Sequence, residues 1–535
     1  MMREEKAWAL KFALFVIVIT TLPYFLGYQL QGENWRFTGF WFGVEDGNSY
    51  IAKMLASSWG GWLLKSPYTT YQQNGLFILM PYVLLGKLVS PPAEHEQLVA
   101  LFHLFRWLSV AMVVLATYDF LSIFLRNIFY RRLGAIVITL GGGLGWLSVV
   151  GMGHLWGGAL PLDFYSPETF GFLAVFGIPH MVMGRAFFLW SLGIYFRMRQ
   201  DRVTPRDCLM SGVLLLFAGL MQPIFVMIGW AVIVIDVVVR ILIDVFDMAR
   251  KSKLSAGGVS VGSVLWLILI FLFSLPIVAY LVYISFTDGY FKIWQIQNVL
   301  PSPPISHYLL AYGWVLPLVL IGLYGMYRKH IRAYGMMGWL FLFPLLVYLP
   351  LGFQRRMAEG FWVLLTVLGL YGLEVYRIPK KVSWVYGASL VSFLVLLAGS
   401  LLGFQSRCEP SYLPADKVKA FRQLSAIISP GEVVLASYNT SNALPAWVPA
   451  KVIVGHGVES ADLSTALRLV NRMYQPTTDD SERYAVIKQF NVRYIFWGPD
   501  ERAIGIWHPS SLRGTELVYQ QAGYEIYRIA ALTER

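Results

Sequence analysis

Cysteine and charge are both scarce in this sequence. Two cysteines, Cys208 and Cys408, do not make a disulfide framework or a cysteine-based metal site. Charged residues are 14% of the chain against 57% hydrophobic, and the mean hydropathy of +0.56 excludes a soluble globular protein of ordinary composition. Internal repeats and low-complexity tracts are missing too. No His or Cys spacing matches a zinc motif, and the glycine run at 141–145 sits in an apolar stretch without the Lys-Ser/Thr of a nucleotide-binding loop. Close helix packing explains those glycines.

Apolar length is what the chain has in quantity. Its formal charge of +12 and pI near 9.4 come from short basic clusters set between apolar runs, a pattern of membrane topology and not of a nucleic-acid patch. The start, with Arg3, Lys6 and Lys11 before a long apolar stretch and no small-residue cleavage site, reads as a retained first span with a cytoplasmic N-terminus. Counting crossings so that each Lys/Arg cluster faces the cytoplasm gives about eleven, each needing about 20 residues. They fall at 10–28, 98–125, 133–150, from His180 to Phe196, twice within 208–245, at 261–286, up to Arg328, up to Gly352, up to Arg377, and at 384–404. Residues 208–245 would measure about 57 Å as one helix, so the chain is expected to turn near Gln222-Pro223. Arg126, Arg131, Arg132, Arg197, Arg199, Arg202, Arg206, Arg250, Lys251, Lys253, Arg328, Lys329, Arg332, Lys380 and Lys381 mark the cytoplasmic side.

The outer side receives the polar loops. Loop 29–97 contains one apolar run, 76–88, which at about 13 residues is re-entrant or interfacial. Residues 49–62 repeat Ile51, Met54, Leu55, Trp59 and Trp62 with Lys53 and Ser57 between, which predicts an amphipathic helix lying along the membrane-facing side of that loop. Beyond Phe404 the composition turns polar. Strand-like 433–437, 451–454 and 492–496 alternate with helical patterns at 417–427, 463–474 and 480–490. The predicted fold is therefore a polytopic α-helical membrane domain, 1–404, followed by an extracytoplasmic α/β domain, 405–535.

Several polar residues emerge together on the outer face in this topology. They are the Val44-Glu45-Asp46-Gly47-Asn48-Ser49-Tyr50 segment, the acidic loop with Asp163 and Glu168, and the Arg355-Arg356 pair, which opposes the positive-inside trend. A long first outer loop with an early acid, a second acidic loop, a late Arg pair and a C-terminal outer domain resemble the GT-C membrane glycosyltransferases. More narrowly, the chain is similar to bacterial members related to protein mannosyltransferases and the lipid A aminoarabinose transferase. The resemblance implies an inverting transferase of the cell membrane. Such an enzyme takes a sugar from a polyprenyl-phosphate carrier and passes it to a lipid, glycan or protein acceptor at the extracytoplasmic face. No cofactor is implied with certainty, and a divalent cation fits the acids as one alternative.

Such a displacement needs a carboxylate base and positive charge for the departing phosphate. The resemblance gives the base to Asp46, with Glu45 adjacent; the plain alternative is a solvated acidic turn. Asp163 and Glu168 would position or polarise the acceptor or hold the cation, or Ser166-Pro167-Glu168 is simply a helix start. Arg355 and Arg356 would bind the carrier phosphate bidentately, or snorkel at a helix end, with Glu359 neutralising one of them. His180, with Arg185 about a turn and a half deeper, and Lys292 are further substrate-binding candidates. Asp236 and Arg240, four residues apart, read as a structural pair, and His103 and Arg106 as site neighbours or inter-helix bonds. Trp59 and Trp62 read first as an interface belt, and His456-Gly457 with Glu459 as a structural loop or an acceptor contact. A transporter or a non-catalytic assembly subunit is the competing class; acids gathered in outer loops instead of mid-membrane favour surface chemistry.

Overall fold

The computed structural model describes residues 2–200, 203–251, 261–329 and 333–530; Arg202, Lys253 and Arg332 lie outside the described residues. The chain divides into two units. One comprises 1–21, 105–282 and 299–401, and the other 22–104, 283–298 and 402–535.

The first unit is built of helices. Among the described residues, seven helices are long and apolar enough to cross a membrane: Arg3–Gln29, His95–Phe124, Ile224–Ile243, Trp266–Thr287, Ile305–Arg328, Gln354–Val375 and Lys380–Leu402. The chain is a multi-pass membrane protein. Four of the expected crossings form shorter or more polar helices, at Ile128–Leu140, Pro179–Gln200, Pro205–Met221 and Tyr334–Val347. The first of these stops ten residues short of the expectation because Gly141 turns extended (φ −69°, ψ 153°). Glycine costs about 1 kcal/mol in a helix, so a run of it is a natural end. The glycines still serve close packing: a Cβ on Gly142 would lie 2.7 Å from Ser392 and one on Gly145 2.6 Å from the Asp163 carboxyl carbon.

The turn expected within 208–245 falls at Gln222, between Pro205–Met221 and Ile224–Lys251. Thr204 caps the former by accepting from the Asp207 amide at 3.2 Å, with Pro205 at the first helical position. Asp236 and Arg240 pair at 2.8 Å, and Tyr195 Oη and the Gly335 amide also donate to Asp236, so this buried charge ties three helices together. Arg106 donates to Thr20 Oγ1 (2.7 Å) and Thr21 Oγ1 (2.8 Å), a bond between helices. Phe361–Val375 is the centre of the packing, buried from Phe361 through Leu373. It meets Leu316–Arg328 backbone to backbone where a Cβ on Gly322 would stand 1.9 Å from the Leu368 carbonyl oxygen.

The second unit joins distant pieces of sequence. Trp35–Phe37 of the first loop pairs antiparallel with Tyr412–Pro414. A five-stranded sheet follows in the order Lys451–Val452, Val433–Leu435, Val492–Trp497, Tyr524–Ile529, Thr515–Gln521, the first three strands parallel and the last two antiparallel. Ala522 and Gly523, both at positive φ, make the two-residue turn of the final hairpin. Helices Leu463–Met473 and Asp480–Phe490 belong with the sheet, and Leu435, Val454, Val470, Tyr474, Ile495 and Trp497 are in one buried core. The short apolar run of the first loop gives only the helix Met80–Gly86.

The Gly322 contact is sensitive to added volume. Overpacking costs about 1–3 kcal/mol, and here the obstacle is rigid backbone. Gly322→Ala is expected to lower the thermal midpoint of the detergent-solubilised protein by several degrees. Gly399→Ala, where nothing lies within 4 Å, should leave it unchanged or slightly raised.

Candidate active site

Val44–Ser58 forms the helix on which the first-loop acids sit, and Gly43 begins it in a left-handed conformation (φ 58°). Glu45 and Asp46 lie in its first turn, where the helix dipole favours negative charge. Glu45 accepts from the Gly457 amide (2.7 Å) and the Tyr438 hydroxyl (2.5 Å). The Asp46 carboxylate stands 3.3 Å from His456 Nε2, with its side chain 60% exposed while His456 is 5% exposed. It opens to solvent.

Along the same helix, Ser49 and Lys53 follow Asp46 at intervals of three and four, and both are buried. Lys53 Nζ meets Glu459 Oε1 at 2.5 Å and also bonds Ser49 Oγ, which itself donates to Glu459 at 2.5 Å. Ser66 Oγ donates to the other Glu459 oxygen at 2.7 Å. This corrects the expectation of a surface helix with Lys53 on its polar side. The lysine is 2% exposed because a buried carboxylate awaits it. Asn48 donates to the Asn442 side chain (2.8 Å), and Tyr290 Oη to the Glu459 carbonyl (3.0 Å).

The charges settle one another. Burial pushes the Glu459 carboxyl up, but the Lys53 and His456 charges outweigh it and bring its pKa down to about 2. Burial depresses the His456 imidazole, and Glu459 and Asp46 overcome that and raise it above 6.5. Desolvation by the surrounding chain pushes Asp46 up, and the hydrogen bond and charge of His456 with the charge of Lys53 hold it net below its usual value. Asp46 is thus an ionised, solvent-facing carboxylate.

A second cluster belongs to the helical unit. Glu168, 4% exposed, lies 3.8 Å from Arg355 Nε with one oxygen and 3.8 Å from Arg356 Nε with the other. Two guanidiniums thus share one carboxylate, at distances too long for hydrogen bonds. Arg355 Nε is buried without a hydrogen-bond partner, and its guanidinium lies over the Tyr165 ring at 4.9 Å. Glu359 does not serve these arginines as expected. Left-handed Gly360 follows it, and Glu359 pairs with Arg185 at 2.5 Å. Arg185 also donates to the Pro167 (3.1 Å) and Phe170 (3.4 Å) carbonyls, and His180 is buried. The expected helix start at Ser166-Pro167-Glu168 is a turn, since Ser166 Oγ bonds Glu168 (3.1 Å) and Thr169 (2.7 Å) instead of capping. Asp163 has a different setting: it accepts from Ser392 Oγ (2.6 Å) and the Gly145 amide (3.1 Å) and is 4% exposed.

Lys292 is exposed on the helix Gly289–Gln297, and no hydrogen bond or ion pair joins it to either cluster among the described residues. Among those residues no three His, Cys, Asp or Glu side chains converge as a metal site requires. Lys53, Ser49 and Ser66 went unrecognised as partners in the sequence. The signal available was Lys53 on the Asp46 face of the helix and the three-residue spacing of His456 and Glu459.

Compared with known proteins, the chain matches no family model and no characterised protein by sequence. Solved structures match it over nearly its whole length. The oligosaccharyltransferase AglB from Archaeoglobus fulgidus, in complex with an inhibitory peptide and a dolichol-phosphate, is 12% identical with a TM-score of 0.52 over 100% of this chain and 75% of that one. An Archaeoglobus fulgidus oligosaccharyltransferase in the apo form gives 0.51 over 98% of this chain and 75% of that one at 12% identity. The chain shares the fold of these oligosaccharyltransferase structures. ArnT from Cupriavidus metallidurans is 10% identical over 97% of this chain and 98% of its own, with a TM-score of 0.48.

The Lys53–Glu459 pair makes a stability prediction. Lys53→Met leaves a buried carboxylate unpaired, at a cost of about 3–5 kcal/mol. Because the Glu459 pKa is lowered from 4.5 to about 2, its contribution is present above pH 4.5 and lost as pH falls toward 2. Melting curves of the parent should therefore carry an acid limb in that window, and the Lys53→Met/Glu459→Gln double variant should lack this component.

Proposed function

We propose that this chain is a glycosyltransferase that moves one sugar from a polyprenyl-phosphate carrier to an acceptor hydroxyl or amine at the extracytoplasmic face of a bacterial cell membrane. The observation that carries the reading is Asp46: on a GT-C fold, the first-loop acid is ionised and open to solvent. The dolichol-phosphate and peptide bound by AglB support a lipid-linked donor and leave lipid, glycan and peptide acceptors in view.

In this reading Asp46 accepts the proton of the acceptor as its oxygen or nitrogen attacks the anomeric carbon. The bond from that carbon to the phosphate oxygen breaks with inversion, and the electron pair leaves on the polyprenyl phosphate. General-base help of this kind contributes about 10²–10⁴-fold. Arg355 and Arg356 take the phosphate. Glu168 offsets one of their two charges and leaves the other for the leaving group, with the unbonded Arg355 Nε as a donor. Glu45 fixes the start of the helix that presents Asp46. Arg185 holds Glu359 and the Pro167 and Phe170 carbonyls of the acidic loop, Asp163 would position the acceptor, and His180 and Lys292 are further substrate-binding residues of the proposal. About eleven crossings, a cytoplasmic N-terminus, a membrane domain at 1–404 and an extracytoplasmic domain at 405–535 complete the proposal.

Asp46→Asn is expected to reduce transfer at least 100-fold while the protein still folds. Mass spectrometry of envelope glycans and lipid-linked sugars, with and without the protein, should show one missing sugar and an accumulated carrier. Unaltered glycans would end the transferase reading. The Arg355→Gln/Arg356→Gln double variant should raise the KM for the carrier more than tenfold. For sidedness, exposed Cys408 should react with an impermeant maleimide added to intact cells while buried Cys208 does not.

A further inference from the structure

The second unit holds a cavity of about 540 Å³ against the helix Val44–Ser58, lined from that helix by Ala52, Ala56 and Ser57, and nothing in the transfer reading uses it. Lys53 reaches its wall, but that ammonium is spent on Glu459. Two other lysines line it, Lys65 and Lys451. Among the described residues neither comes within ion-pair distance of a carboxylate. Burial, with the charge of Lys65 added to it, depresses the Lys451 pKa. Lys65 is exposed and Lys451 half-buried, so an anion entering the cavity can reach both ammoniums and would relieve their repulsion. Trp59 and Trp62 also line the space, 43% and 64% exposed, and a third cation, Lys87, stands 4.8 Å from the Trp62 ring. Pro67 and Pro449 add rigid apolar wall.

We propose that this cavity binds a sugar or other cyclic polyol bearing a phosphate or carboxylate, with the anion between Lys65 and Lys451 and the ring against Trp59 and Trp62. The volume falls in the range of small-molecule sites, about 300–1,000 Å³. Flat aromatic and proline surfaces take the apolar face of a ring at low entropic cost. Lysines serve as point charges for a phosphate or carboxylate. The group can belong to a soluble glycan or to a membrane lipid headgroup, and the chemistry recognised is the same.

The test uses the full chain in phosphatidylcholine nanodiscs and radiolabelled glucose 6-phosphate. Saturable binding is expected, at least tenfold tighter than that of glucose or of inorganic phosphate, and weakening with salt. Lys65→Gln/Lys451→Gln should lose at least tenfold in affinity, while Lys65→Arg/Lys451→Arg keeps most of it. Adding phosphatidylinositol to the discs separates the sources: competition assigns the site to a lipid headgroup, and its absence assigns it to a soluble glycan. No saturable binding, equal binding of glucose or inorganic phosphate, or an unaffected glutamine variant would overturn the proposal. This binding is read without any transfer assay, so its outcome is separate from that of Asp46→Asn.

Discussion

A buried ammonium can persist beside apolar walls only with a carboxylate against it, and Lys53 with Glu459 meets that condition. The pair fixes more than itself. Lys53 and Asp46 are two turns apart on one rigid helix, and Glu459 and His456 are three residues apart in one turn, so locking the first pair sets the reach of the second. The solvent-facing carboxylate therefore inherits its position from an interaction that faces inward. Ser49 and Ser66 hold the remaining lone pairs of Glu459, which makes the arrangement complete instead of half-satisfied.

The helical unit treats charge in two ways. Asp236 with Arg240 is a closed pair, and Glu359 meets Arg185 at hydrogen-bonding distance through one oxygen, its other oxygen buried without a partner. Arg355 and Arg356 are left open, with one carboxylate at 3.8 Å from each and a buried N–H unused. Closed pairs organise helices. An open pair stores affinity for an anion, which is the reason the proposed function assigns the phosphate there.

Much of the fold was legible because its causes are local. Apolar length marks the long helices, Pro223 marks the break after Met221, and Thr204-Pro205 marks the next start. The Arg355-Arg356 pair stood out because it opposes the positive-inside trend, and Asp46 because the resemblance sets an early acid in the first loop. What escaped notice depends on distance or on competition. Nothing near Lys53 in the sequence announces Glu459, and nothing near Asp46 announces His456. Ser166-Pro167-Glu168 carries the signature of a helix start, yet the serine hydroxyl bonds Glu168 and Thr169 and a turn results. Gly141 ends its helix where an apolar pattern alone continues, because hydropathy does not register the backbone freedom of glycine.

The pairing of Trp35–Phe37 with Tyr412–Pro414 bears on how the protein is made. The N-terminal strand leaves the ribosome long before its partner, and Lys53 precedes Glu459 by 406 positions. During synthesis the early loop must wait, its lysine and its strand edge unpaired, until the last quarter of the polypeptide has been made. The acid-bearing helix is therefore assembled last although it is translated among the first segments, and a chain interrupted before completion would carry no finished centre into the membrane.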